Sequence, residues 1–142
     1  MELDTESKLY IEAKGLPSTE ILGVSFLPAD EFYSVTYENE EYLIVGDEDA
    51  GMSYIGLNKY GNVYLIGLDT KMYISNSLVK FAKQLLAFQS FALPAAKHTE
   101  KELKVHANKF RETIKGIDKS AFKNDGTFWA GIIKHIEEVL RY

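Results

Sequence analysis

At Ser75 the chain changes its hydrophobic period, and that change limits the folds open to it. Upstream, Phe32–Tyr37, Tyr42–Val45, Met52–Leu57, Asn62–Leu68 and Met72–Ser75 are short runs rich in aromatic and β-branched residues, the composition of strands. Turn-forming residues separate them at Asn39-Glu40, Lys59-Tyr60-Gly61-Asn62 and Leu68-Asp69-Thr70-Lys71. Connections this short join antiparallel neighbours, because a parallel crossover needs about a dozen residues or more. Downstream, Leu78, Phe81, Ala82, Leu85 and Leu86 share one face of a helix that Ser75 or Asn76 can cap. A second helix over Thr99–Lys115 turns Leu103, Ala107, Phe110 and Ile114 inward. A third over Thr127–Arg141 presents Phe128, Ile132, Ile136 and Val139, with Trp129, Ile133 and Leu140 widening its face. A short helix over Thr5–Lys14 precedes the strands, with Thr5 as its N-cap and Gly15 and Pro17 closing it. Strands followed by helices predict an α+β fold: an antiparallel meander sheet of four to six strands with helices packed on one side. The 142 residues suit a single such domain, without internal repeats or long linkers.

Several function classes fall away on composition. There is no cysteine, which removes thiolate metal sites, disulfide scaffolds and cysteine nucleophiles, and fits a reducing compartment. The opening Met1-Glu2-Leu3-Asp4-Thr5-Glu6 is acidic and lacks the basic-then-apolar pattern of a secretory signal. The most apolar stretch, Leu85 to Ala96, is broken by Gln89, Ser90 and Pro94 and is too short to span a bilayer. The expectation is a soluble, cytoplasmic protein with no membrane partner.

Charge is unevenly spread within the net −5. Gly15 to Asn58 holds no Lys or Arg and nine acids: Glu20, Asp30, Glu31, Glu38, Glu40, Glu41, Asp47, Glu48 and Asp49. From Lys59 onward there are fourteen basic against eight acidic residues. The acidic block is either a set of solvated strand edges and loops, compensated on folding, or a surface that attracts a basic partner.

Motifs of known chemistry are approached and missed. Gly46 to Ser53 has the glycine spacing of a phosphate-binding loop, but Met52 stands where the lysine belongs and Asp47, Glu48 and Asp49 would repel phosphate. The segment reads as an acidic loop between strands. Asp47 and Asp49 start a calcium-loop pattern that the following residues do not continue. Ser53 misses the glycine spacing of a nucleophile elbow by one residue and belongs in a strand. His98, His106 and His135 lie in no metal-binding pattern and read as surface histidines. Lys97, Lys101, Lys104, Lys109, Arg111, Lys115, Lys119 and Lys123 decorate the second helix and the turn after it, interleaved with Glu100, Glu102, Glu112 and Asp118 and without a stacking platform. A solvated helix face accounts for them, and no nucleic-acid partner, metal or cofactor is expected. The nine tyrosines serve either a sheet core or a contact surface.

Taken in order, Gly15-Leu16-Pro17 after a short helix, Tyr42-Leu43-Ile44-Val45-Gly46, and Ile55-Gly56-Leu57-Asn58 with Gly61-Asn62-Val63 resemble the strand region of the SUKH superfamily of bacterial toxin-immunity proteins. Tyr73 to Phe81, with Asn76-Ser77-Leu78 and Phe81, resembles the strand-to-helix junction of that family's fourth subgroup. Ile117 to Phe122 followed by Phe128-Trp129 is similar to the subgroup's ending. These residues pack and cap, so the likeness carries fold more firmly than function. It implies a non-catalytic immunity protein that binds and occludes a toxin, often a nuclease, delivered by neighbouring bacteria. Nuclease sites are basic, so the partner contact is expected at Glu38, Glu40, Glu41, Asp47, Glu48 and Asp49. The runner-up is a regulatory or scaffolding module that binds another protein; a third reading, a small-molecule-binding or enzymatic domain, needs a deep pocket with convergent polar groups, and the oligomeric state stays open.

Overall fold

The computed structural model describes residues 2–95 and 99–139. Ala96, Lys97, His98, Leu140, Arg141 and the side chain of Val139 lie outside the described residues. Helix α1 (Thr5–Ala13) leads into strands β1 (Val24–Phe26), β2 (Tyr33–Tyr37), β3 (Glu40–Glu48), β4 (Ser53–Leu57), β5 (Val63–Ile66) and β6 (Lys71–Ser75). Helices α2 (Leu78–Ala95), α3 (Glu100–Ile117) and α4 (Phe128–Val139) follow. Every pairing is antiparallel, and β2 through β6 form the expected meander.

The sheet differs from the strand pattern at one end. Val24–Phe26 pairs with the far end of β3, whereas β2 pairs with its near end, so β1 and β2 share one edge of the same long strand. Three residues behind a tight turn are too few to show an alternation, which is why β1 has no signature. β3 also outruns the apolar Tyr42–Val45, taking in Glu40 and Glu41 before it and Gly46, Asp47 and Glu48 after it. The acidic Gly46–Ser53 segment is therefore half ladder, and its turn is confined to residues 49–52. Gly46 is strand for a steric reason: a Cβ there would lie 2.4 Å from the Ser25 carbonyl oxygen of β1. The first hairpin turns at Glu38-Asn39, one residue before the expected Asn39-Glu40, with φ of 51° and 68° and Tyr37 paired to Glu40. Both central residues at positive φ mark the turn whose twist suits a hairpin.

The helices cover one face. Leu43, Val45, Ile55, Leu57, Val63 and Ile74 of the sheet pack with Leu78, Phe81 and Leu85 of α2, Phe110 and Ile114 of α3, and Phe128, Trp129 and Ile133 of α4 in one core. Alternation puts those sheet residues on a common side. Two expectations are corrected here. Leu86 is exposed while Val79 and Gln84 are buried, and the buried stripe of α4 is Phe128, Trp129 and Ile133, with Ile132 and Ile136 half-buried. The fully buried Trp129 accounts for Gln84, because its indole N–H donates to Gln84 Oε1 at 2.9 Å and so satisfies a polar side chain in the core.

The caps follow the same logic with shifted residues. Asp4, not Thr5, caps α1, accepting from the Ser7 N–H at 3.0 Å and the Ser7 hydroxyl at 2.7 Å. Ser77, rather than Ser75 or Asn76, caps α2 by accepting from Lys80 N–H at 3.0 Å. Thr99, the expected first residue of α3, is its N-cap, accepting from the Glu102 N–H, and Thr127 caps α4 by accepting from Ala130 N–H. Asn76 instead joins two segments. Its N–H donates at 2.7 Å to the buried Asp118 carboxylate, which ties the end of β6 to the turn before α4.

Candidate protein-binding face

The residues that alternate with the core set project from the opposite side of the sheet, where no helix residue joins the apolar cluster among the described residues and the short 3-10 helix Lys119–Phe122 meets the β6 edge at Tyr73. That face carries Tyr33, Val35 and Tyr37 from β2, Tyr42 and Ile44 from β3, Tyr54 from β4, Tyr64 and Ile66 from β5, and Lys71 and Tyr73 from β6. Six of the nine tyrosines therefore lie on one surface. Tyr42, Ile44 and Ile66 are buried in a second, smaller cluster against Val35, Tyr37 and Tyr64.

Gly56 is what lets this cluster close. It sits in β4 between Ile44 and Tyr64, and a Cβ there would lie 2.9 Å from Ile66 Cδ1 and 3.3 Å from both Ile44 Cδ1 and Tyr42 Cβ. With that space free, Tyr37, Tyr42, Tyr64 and Tyr73 run edge-to-face across the sheet with centroid separations of 6.5, 6.0 and 5.6 Å. Such geometry sets the positive rim of each ring against the face of the next.

Polar groups hold the row at two points, Tyr42 within it and Tyr73 at its β6 end. Lys71 Nζ donates to the Tyr42 hydroxyl at 3.0 Å and lies 5.1 Å from the centre of the Tyr64 ring. The Tyr42 hydroxyl in turn donates to Glu40 Oε2 at 2.9 Å. The hydrogen bond to Tyr42 raises the Lys71 pKa, while burial raises that of Tyr42. At the β6 end the Ser120 hydroxyl spends its one proton on Asp118, so the Tyr73 hydroxyl donates to Ser120. Lys123 Nζ stands 3.6 Å over the Tyr73 ring.

Beside the row runs an apolar groove of about 590 Å³ that no charged side chain lines. Its floor is Val35, Ile44 and Ile66, its walls Tyr33 and Tyr54, and its rim the exposed Met52 and Leu68. Charge gathers at its ends. Asp47 stands close enough to raise the Tyr33 pKa, after the larger effect of burial and that of Tyr54; Glu38 and Asp69 act on Tyr37 in the same way, again after burial.

The six acids named from the sequence are not one cluster. Glu38, Glu40 and Glu41 stand at the start of β3, and Asp47, Glu48 and Asp49 at its finish. Glu40 and Glu48 are eight residue steps apart along the strand, roughly 26 Å at the usual rise. Glu40 and Asp47 project onto the tyrosine face, while Glu48 turns away from it, and burial raises the Glu48 carboxyl pKa, helped by Asp49. The tyrosines between the two groups are the part of the surface that the acidic pattern does not reveal. Their signal was the doubly apolar run Tyr42-Leu43-Ile44-Val45, which demands cover on both faces of β3.

Other candidates take structural places. Ser53 begins β4 and is half-buried. His106 is half-buried with its ring stacked on Phe91 at 5.0 Å, not on the surface, whereas His135 is exposed. Lys101, Lys104, Lys109, Arg111, Lys115, Lys119 and Lys123 are all exposed. No group of His, Asp or Glu among the described residues is arranged to hold a metal ion, and no described helix is long and apolar enough to cross a membrane. No family model, curated protein or solved structure matches the chain.

Proposed function

We propose that this chain is a non-catalytic immunity protein that acts in the bacterial cytoplasm, neutralising a toxin by covering a basic surface such as a nuclease site. The observation that carries the reading is the sheet face opposite the helical core: a row of tyrosines and an apolar groove, with carboxylates at both ends. Tyrosine combines large apolar area, few rotatable bonds and a hydrogen-bonding tip, which suits it to the centre of a protein contact. Carboxylates at the ends favour a cationic partner and speed its approach. The order of packing motifs shared with the SUKH superfamily supports the same reading.

Co-expression with the toxin domain encoded beside this gene tests it. Rescue of growth, with a stoichiometric complex recovered from the cells, is the expected result. Survival that requires no complex, or a complex that leaves the toxin active, would reject occlusion. Capture of a cellular regulator without protection from any toxin would assign the chain to a regulatory or scaffolding role.

A further inference from the structure

We infer that β2 is an acceptor edge: a strand of the partner, carrying basic residues at its ends, pairs with Tyr33–Tyr37 and extends the sheet. The inference rests on the protein-binding reading above and specifies its mode. β2 pairs with β3 alone among the described strands, so its other side is open. The hairpin register says which groups are free. Tyr37 and Glu40 close a two-residue turn and form a hydrogen-bonded pair, which makes Val35 with Tyr42 and Tyr33 with Ile44 the next such pairs. Ser34 and Thr36 then direct their N–H and C=O groups outward, and both residues are exposed.

Edges of this kind are ordinarily blunted by Lys, Pro or a bulge. Tyr33-Ser34-Val35-Thr36-Tyr37 has no Lys or Pro and pairs in unbroken register. Its Tyr33, Val35 and Tyr37 side chains line one side of the apolar groove, so an added strand would lay alternate side chains against theirs on the same face and widen it. Electrostatics selects the occupant. Asp30 and Glu31 precede the strand and Glu38 follows it. Pairing with a second copy, in either direction, brings carboxylates against carboxylates. A strand with cations at its ends meets opposite charge at both.

A short synthetic peptide of alternating valine and threonine with arginine at each end is the direct probe, followed by amide hydrogen exchange on the intact protein. The Ser34 and Thr36 amides should exchange freely alone and become protected on binding, whereas those of Tyr33, Val35 and Tyr37 are protected throughout. A glutamate-ended peptide should bind at least about tenfold more weakly, since like charge replaces opposite charge at both ends. Thr36→Pro removes an outward donor without touching the β2–β3 ladder and should abolish binding with the fold intact. Val35→Pro, which does break that ladder, provides the unfolding reference. Peptide binding without new protection at Ser34 and Thr36 would overturn the edge, as would full toxin neutralisation by folded Thr36→Pro. Edge binding in a protein that protects against no toxin would overturn the immunity reading and leave the edge standing.

Discussion

Single residues carry two kinds of tension in this fold, and each is measurable. Glu38 and Ala50 occupy the left-handed region, with φ of 51° and 54°, and both are exposed at hairpin turns. A side chain with a Cβ is disfavoured there by about 1–2 kcal/mol, less for Asn and absent for Gly. Glu38→Asn and Ala50→Gly should each raise stability by up to about 1 kcal/mol in urea unfolding, the gain for glycine being reduced by its greater freedom in the unfolded chain. The turn residues were legible in the sequence, but their register was not, because Asn39 suits either central position of a hairpin turn. The second tension is in the core. Gln84 accepts from the Trp129 indole at 2.9 Å, and both side chains are fully buried. Gln84→Met keeps most of the volume and leaves the indole N–H without an acceptor, at a cost of about 1–3 kcal/mol. Adding Trp129→Phe removes the stranded donor, so the double variant should be more stable than the sum of the single losses implies. Additive losses would mean that the hydrogen bond contributes nothing beyond packing.

Among the elements, β3 decides how much of the site the sequence could disclose. Its apolar centre, Tyr42 to Val45, is buried on both faces, so no alternation distinguishes the side facing the helices from the open one. The three helices after the sheet were easier, since each shows a 3.6-residue stripe, from which Leu86, the half-buried Leu103 and the choice between Trp129 and its neighbours departed. The acidic ends of β3 looked like loop because charge outweighs strand propensity when the ladder partners are unknown. The tyrosine row across β2, β3, β5 and β6 gives the sheet a pH signature. Burial, as the largest cause, raises the pKa values of Tyr33, Tyr37, Tyr42 and Tyr73, and the hydrogen bond to Tyr42 raises that of Lys71. For a raised pKa the folded state favours the protonated form. The associated stability is complete below the unfolded value, about 10 for both residue types, and is lost as pH rises through the folded value. Urea midpoints should fall above pH 10, together with a late rise in phenolate absorbance. Tyr42→Phe should flatten part of that fall; an unchanged slope would remove the Lys71–Tyr42–Glu40 chain as its source.

At the scale of the molecule, a one-sided helical layer converts an uneven charge sequence into a surface with two acidic ends and an aromatic middle. Fold class followed from the order of elements, because strands that precede all the long helices leave only one side of the sheet to be covered by them. The separation of the acids did not follow, since it depends on β3 continuing through Gly46 to Glu48. That separation has a kinetic consequence. The two ends lie roughly 26 Å apart along the strand, about three Debye lengths at physiological salt. Each should therefore attract a basic partner almost independently of the other. Reversing Glu38, Glu40 and Glu41 to lysine should slow association with a basic toxin domain about tenfold at low salt, and reversing Asp47, Glu48 and Asp49 should do the same. The two effects should multiply when combined and fade together as salt rises, with dissociation much less affected. Stopped-flow association across a salt series measures this directly. If only one end changes the rate, the partner covers that half of the face alone; if neither does, the carboxylates lie outside the contact and the tyrosine groove must account for recognition by itself.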